Sequence, residues 1–499
     1  MRLGLIPLDE RPVNVRYPQM IADIAGHEVF VPPEKLLSKL RTPANSIALQ
    51  EWMQSQTVDA WLVSLDMIGY GGLVASRIGH DDVTAILQRI NWLRDLGDVM
   101  LYGFNVITRV SNANNNTEEA LYWLNYGTRI YRYSQLKHQQ QLGQDVESEL
   151  APLEAEIPAA HLEDFTQRRL RNHMVNLHLL KLFSEDVFDL LVISSDDTSE
   201  YGYGSQEKAW LQTWAQRLAT DDPRLMFYPG ADEIGCVLLI RAILQGQKPP
   251  SFAIAYAIDA DRNRTAPYED SPISTTVERQ IRALGGTVSE DVETADFIVA
   301  VNPPVAVGRE FDDTLPGYSQ EKSRREPYIQ QFVMDINHWL AEGRQVILCD
   351  VAYPNGADPL LIEYLFQQVD VTRLAAYGAW NTAGNTIGTA LAQGVAASMI
   401  STPEQETAQA RFLAHRFLED WGYQHVVRQE TIHWMGDRYS VQGIAPEHFD
   451  DVRAYIENGL RERLNQIPGL GQQWRIVPGS IRLPWQRLFE VDFDLEAIG

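Results

Sequence analysis

Cysteine is almost missing from this chain: among 499 residues only Cys236 and Cys349 occur. Both lie in apolar runs, which points to buried structural thiols rather than a disulfide framework or a zinc–thiolate site. Positive charge is scarce as well. Lys and Arg number 42 against 67 Asp and Glu, a formal net charge of −25. Such a field repels phosphate backbones and anionic lipid, so neither nucleic acid nor a membrane surface is an expected partner. None of the 11 histidines stands in a His-x-His or His-Glu-x-x-His pair, which leaves a zinc hydrolase poorly supported. A Walker loop and a Gly-x-Ser-x-Gly elbow are missing too. No uncharged run approaches membrane-spanning length, and the leading apolar residues give way to Asp9 too early for a signal peptide. The expectation is a cytoplasmic protein with no internal repeat.

What is present is a βα rhythm. Short branched apolar runs over 3–8, 27–31, 60–65, 99–104, 190–193 and 225–228 alternate with helical patterns over 18–25, 46–54, 82–96 and 206–218. That alternation predicts a parallel sheet. Residues 113–186 break it with long helices, expected over 118–142 and 160–183. Gln247-Lys248-Pro249-Pro250 is the best linker. Beyond it five more strand-like runs, over 252–258, 287–288, 297–301, 345–351 and 375–378, match a flavodoxin-like unit. From about 401 the chain reads as mostly helical, with a strand-like tail over 482–494. The expected organisation is a (β/α) barrel or partial barrel over 1–247 with a helical insertion at 113–186. A flavodoxin-like α/β domain over 248–400 and a helical region over 401–499 follow. A flavodoxin-like first domain is the alternative, since six strand candidates fall short of the eight of a closed barrel.

Six of the strand-like runs end in an acid: Asp9, Asp66, Asp196, Asp232, Asp259 and Asp350. Any one of them alone reads best as a helix cap or turn residue. Six together favour a carboxylate-rich crevice at the strand ends, where parallel α/β folds place their chemistry. Within 189–204 the run Leu190–Ile193 leads through two serines to Asp196-Asp197 and a Tyr/Gly turn. Neighbouring carboxyls repel, so one pKa is expected to rise and the other to stay low, which lets one site hold a proton donor beside an anion. Aromatics share the acid-bearing loops: Tyr70, Tyr201, Tyr203, Tyr353 and Trp380. Their faces suit sugar rings. Trp61 and Trp210 read as ordinary packing. Gly69-Tyr70-Gly71-Gly72 lacks the spacing of a dinucleotide loop. The basic run Arg168-Arg169-Leu170-Arg171-Asn172-His173 is either a solvated helix face or a substrate clamp, and Arg171 and Asn172 are assigned to the clamp. Gly384-Asn385-Thr386 opens a helix over 387–397 whose N-terminus can hold an anionic or amide group.

Asp196-Asp197 resembles the acidic pair of the 2-acetamido-cleaving glycosidases that use the substrate's own amide as nucleophile. On that resemblance Asp196 orients the amide and Asp197 is the general acid. Over nearly the whole chain, Leu8-Asp9-Glu10-Arg11-Pro12-Val13-Asn14, Ser64-Leu65-Asp66-Met67, Gly230-Ala231-Asp232-Glu233, Asn355-Gly356-Ala357-Asp358 and Trp380-Asn381-Thr382-Ala383-Gly384-Asn385 resemble a bacterial family of uncharacterised-domain (DUF) proteins. That resemblance implies converging polar motifs and no particular reaction.

The residues lead to a glycoside hydrolase, with an exo-acting β-N-acetylhexosaminidase using substrate assistance in an acidic interdomain cleft as the specific expectation. Asp196 and Asp197 are the catalytic pair. Asp9, Arg11, Asn14, Asp66, Tyr70, Arg109, Arg171, Asn172, Tyr201, Asp232, Glu233, Asp350, Asn355, Asp358, Trp380, Asn381 and Asn385 are expected to bind a small carbohydrate substrate. An oxygen-only magnesium or calcium site stays open, but no residue is assigned as a metal ligand and no cofactor is expected. A homo-oligomer is left open. The rivals are a divalent-metal-dependent hydrolase or lyase, and a non-catalytic sugar- or metabolite-binding protein.

Overall fold

The computed structural model describes residues 1–218, 222–307, 310–440 and 443–498. The chain divides into two compact units, Met1–Val15 with Glu28–Gly235 and Tyr268–Asp270, and Arg16–His27 with Cys236–Pro267 and Ser271–Gly499.

The first unit is built on six strands: β1 Arg2–Ile6, β2 Glu28–Phe30, β3 Ala60–Ser64, β4 Met100–Ile107, β5 Leu190–Ser195 and β6 Leu225–Pro229. Every pairing is parallel, and the strand order is β2-β1-β3-β4-β5-β6. β3 and β5 are buried along their whole length, as their unbroken apolar runs require of strands covered on both faces. Ile6, Trp61, Val63, Leu101, Phe188 and Ile193 lie in the core. The helical insertion forms helices Trp123–Gln141, Glu147–Glu156 and Ala159–Ser184, and has a small core of its own around Trp123, Ile130 and Phe165. Trp61 packs as expected, whereas Trp210 does not: it stays 42% exposed. Gly69-Tyr70-Gly71-Gly72 turns out to end a helix. Gly71 caps Leu65–Tyr70 at φ 88°, and a Cβ there would stand 2.7 Å from the Cβ of Pro43, so only glycine suits the turn.

The second unit carries β7 Ser251–Tyr256, β8 Thr287–Ser289, β9 Phe297–Asn302, β10 Gln345–Asp350 and β11 Ala376–Gly378. They are all parallel, in the order β11-β10-β9-β7-β8. Helices Ile273–Leu284 and Ala383–Ala397 pack on each other. The C-terminal part contains helices Pro403–Phe417 and Phe449–Leu464, a π-helical run Leu418–Val427, and an antiparallel pair β12 Trp474–Ile476 and β13 Leu495–Ala497. Cys236 and Cys349 are both buried, and neither forms a disulfide.

Several boundaries differ from the sequence reading. The first helix spans Pro12–Ala25 rather than starting at 18, because proline's fixed φ suits a helix's first residue. The helix expected from 118 begins at Trp123, which leaves Glu118 and Glu119 in the preceding loop.

Candidate functional site

In the first unit the acids collect at the C-terminal ends of the strands. Asp196 follows β5 directly, and its backbone N–H donates to the Ile107 carbonyl at the end of β4 at 3.2 Å. Two arginines meet the pair. Arg77, on helix Leu73–Ile78, donates from Nη2 to Asp196 Oδ2 and from Nη1 to Glu118 Oε2 at 2.8 Å. Arg109, just past β4, donates to Asp197 Oδ2 at 2.9 Å, to Glu119 Oε1 at 3.2 Å and to Glu118 Oε2 at 3.3 Å. Two guanidinium groups thus bridge four carboxyls, a combination that favours retaining a proton within the group.

The members of the acidic pair differ. Asp197 sits at φ 35° in the left-handed region, a conformation that costs a non-glycine residue of order 1–3 kcal/mol and gathers at functional sites. Burial pushes its carboxyl up to about 6, the neighbouring Asp196 adds to the rise, and Arg109 opposes it. Its side chain is 28% exposed, against 13% for Asp196 and 3% for Arg77. Beside the pair lies a cavity of about 20 Å³ lined by Arg109, Tyr131, Ser134, Ser195, Asp196 and Asp197 among others. Ser195 Oγ is buried there without a hydrogen-bond partner. That space fits a water and not a sugar ring. Arg109 also lines a second cavity with Arg77, Glu119, Tyr122, Arg168 and Asn172.

A second group lies at the ends of β1 and β6. Arg11 donates to Asp9 Oδ2 at 2.7 Å and to Asp232 Oδ1 at 2.5 Å, and Asn14 Nδ2 donates to Asp9 Oδ1 at 2.9 Å. Burial raises Asp232, and Glu233 beside it is fully buried. Asp66 accepts from the Val106 N–H at 2.9 Å and is pushed up to about 7 by burial; Arg77 lowers it and Asp196 raises it. Asp66 therefore stands in the field of the acidic pair.

Tyr70, Arg171 and Asn172 form a third group. The Arg171 guanidinium lies 5.2 Å from the Tyr70 ring centre. Arg171 also donates to the Ser76 carbonyl at 2.8 Å and to the Gly79 carbonyl at 2.6 Å, and Asn172 donates to the Ser76 carbonyl at 2.9 Å. Both side chains hold the end of helix Leu73–Ile78, and so keep Arg77 in place. Tyr201 stands apart, against His138 with ring centres 5.9 Å apart.

The remaining expected residues form their own set in the second unit. Asp350 ends β10 and its Oδ2 accepts from the Asp358 N–H at 2.6 Å; Asp358 in turn caps helix Pro359–Gln368. Asn302 donates to both, at 2.8 and 3.0 Å, and Arg325 donates to Asp358 at 2.6 Å. Burial, then Asp358, pushes Asp350 up to about 7. Asn355 and Asn381 both take left-handed conformations and are joined by a 3.0 Å backbone hydrogen bond. Trp380 and Asn385 are buried.

Sequence reasoning missed Arg77, Glu118 and Glu119. The two glutamates left a trace as an acidic doublet after an Asn-rich stretch, whereas nothing local marks Arg77. Among the described residues no group of three or more His, Cys, Asp or Glu is placed to hold a metal ion, and no helix is long and apolar enough to cross a membrane.

Fold and site define an α/β protein with two parallel sheets and charge-paired carboxyls at the strand ends of the first. The chain belongs to a family of proteins of unknown function, DUF4127, whose model matches residues 3–494. No curated protein and no solved structure matches it.

Proposed function

We propose that the protein is a glycoside hydrolase, and specifically an exo-acting β-N-acetylhexosaminidase that uses the substrate's acetamido group as nucleophile. The observation that carries this reading is the unequal pair at the end of β5. Asp196 is ion-paired to Arg77, while Asp197 is more exposed and its carboxyl is pushed up to about 6. A carboxyl of that kind keeps its proton up to about pH 6, above the range of an ordinary aspartic acid, and has a position from which to give it away. In this scheme Asp197 passes its proton to the glycosidic oxygen as the acetamido oxygen bonds to C1 and the alcohol leaves. Asp196 accepts from the amide N–H and holds it in line. Water then attacks C1, the cyclic intermediate opens, and the proton returns to Asp197.

A hexose needs more room than the cavity beside Asp197 provides. Arg109 lines both cavities, so its withdrawal would join them and also release Asp197 from its ion pair. For the architecture, the order of the second sheet supports a flavodoxin-like unit, and the first sheet has that same order with β6 added at its end, which favours the flavodoxin-like alternative over a partial (β/α) barrel for the first domain.

The test is turnover of nitrophenyl β-GlcNAc, β-GalNAc and their 2-hydroxy counterparts, with and without a chelator. Cleavage confined to the acetamido sugars and indifferent to chelation is the expected result. Cleavage of the 2-hydroxy sugars would keep the glycosidase and discard substrate assistance. Activity only with added metal favours a metal-dependent hydrolase or lyase. Tight sugar binding without turnover favours a binding protein.

A further inference from the structure

Helix Ala159–Ser184 buries one face and leaves the other uncovered. Glu163, Gln167, Leu170, Met174 and Lys181 are exposed, with Leu177 partly covered among them. Their spacing of four, three, four, three and four residues is the stripe of a helix that packs along another helix. Yet the stripe carries leucine and methionine to solvent, Leu170 at 59% and Met174 at 44% exposure. The neighbouring helix Tyr203–Leu218 continues the patch with Trp210, Trp214 and Leu218, all more than two-fifths exposed. The His173 ring meets Trp210 between the two helices. Tryptophan and methionine are enriched where proteins meet.

The order of residues along the stripe identifies the occupant. Around position 172 the stripe is symmetric: Leu170 and Met174 lie two residues away on either side, Gln167 and Leu177 five, and Glu163 and Lys181 nine. An identical helix laid antiparallel about that level brings Leu170 against Met174 and Glu163 against Lys181. Apolar meets apolar at the centre, and opposite charges meet at both ends. The five exposed apolar side chains offer roughly 500 Å² per copy, at about half of ~200 Å² each, so two copies reach the ~1,000 Å² that a specific interface needs. We propose that a second copy of this chain docks here, forming a two-fold, antiparallel helix–helix interface flanked by Trp210 and Trp214.

Sedimentation equilibrium of the full chain over a concentration series tests this. The wild type is expected to form a dimer. Met174→Glu should weaken it at least ~100-fold, since it buries two unpaired carboxylates. Glu163→Lys and Lys181→Glu should each weaken it by roughly 2- to 10-fold, and the double exchange should return it to within about twofold of wild type. Lys181 also lies 3.5 Å from Glu185, so recovery in the double variant is the result that reports the contact between copies. All these positions are exposed, and unchanged melting temperatures will show that the variants fold. A wild type that stays monomeric at about 100 μM overturns the proposal and leaves the face to a different partner, since a specific dimer of this size associates below that. A dimer indifferent to Met174→Glu overturns the face, and a double exchange that does not recover overturns the antiparallel register.

Discussion

Arg109 holds Asp197 from one side, donating from Nη1 to Oδ2 at 2.9 Å while more than a quarter of the Asp197 side chain remains open. Burial raises this carboxyl to about 6 and the arginine is what opposes a further rise. Arg109→Met should therefore push Asp197 higher still. A donor must be protonated, so glycosidase activity is expected to fall as pH climbs through about 6 in the wild type, and at a higher pH in the variant. Carboxyl NMR titration of Asp197 checks the same shift without any substrate. An unmoved titration would show that Arg109 does not control this acid.

Arg77 joins Asp196 to Glu118 with almost none of its own surface exposed. Arg77→Met takes the paired cation from Asp196 in a largely buried place, while Glu118 keeps Arg109 at 3.3 Å, and should cost about 3–5 kcal/mol in urea unfolding. Adding Asp196→Asn to that variant should recover part of the loss, because the neutral amide no longer needs the cation. A loss below about 0.5 kcal/mol, the size of an ordinary surface change, would mean that the network is not structural.

The strands were legible because their signal is local. The apolar runs before Asp66, Asp196 and Asp350 each became a buried parallel strand with the acid at or just past its end. The partners of those acids were not legible. Arg77 lies 119 positions from Asp196 and 41 from Glu118, and only folding brings them together. Arg11 was legible as part of a motif, but not as the bridge to Asp232, 221 positions away. Trp210 failed for another reason: burial depends on which helix face finds a partner, and composition alone does not say.

Asp358 caps its helix and receives the Arg325 guanidinium in the buried floor at the end of β10. Asp358→Ala removes the cap and strands a buried cation, so about 3 kcal/mol or more should be lost. Asp358→Asn keeps the cap and should cost clearly less. Chemical unfolding of the two variants side by side decides this, and equal stability of Asp358→Ala and wild type would refute it.

Three buried carboxyls make stability depend on pH in an unusual direction. Burial raises Asp66 and Asp350 to about 7, and raises Glu419 to about 8 with Asp420 adding and Arg416 opposing. In the unfolded chain such groups titrate near 4. Between those values the folded state holds protons that the unfolded state has released, so stability is complete below about pH 4 and drains away as pH rises through 7 to 8, by up to about 1.4 kcal/mol per pH unit for each group. Asp492 works the other way. Burial would raise it, but contacts with His415 and Arg16 outweigh burial and hold it below the ordinary range, so acidification below about pH 4 removes its contribution. The balance places the stability maximum near pH 4–5, below the pH 5–8 usual for proteins. Asp66→Asn still accepts the Val106 N–H and cannot ionise, so it should flatten the decline by one proton's slope between about pH 4 and 7. Unfolding measured at about pH 4.5, 6 and 7.5 is the check. Stability that is level or rises across that range would show that these carboxyls are ionised in the folded protein, with cations or water reaching them.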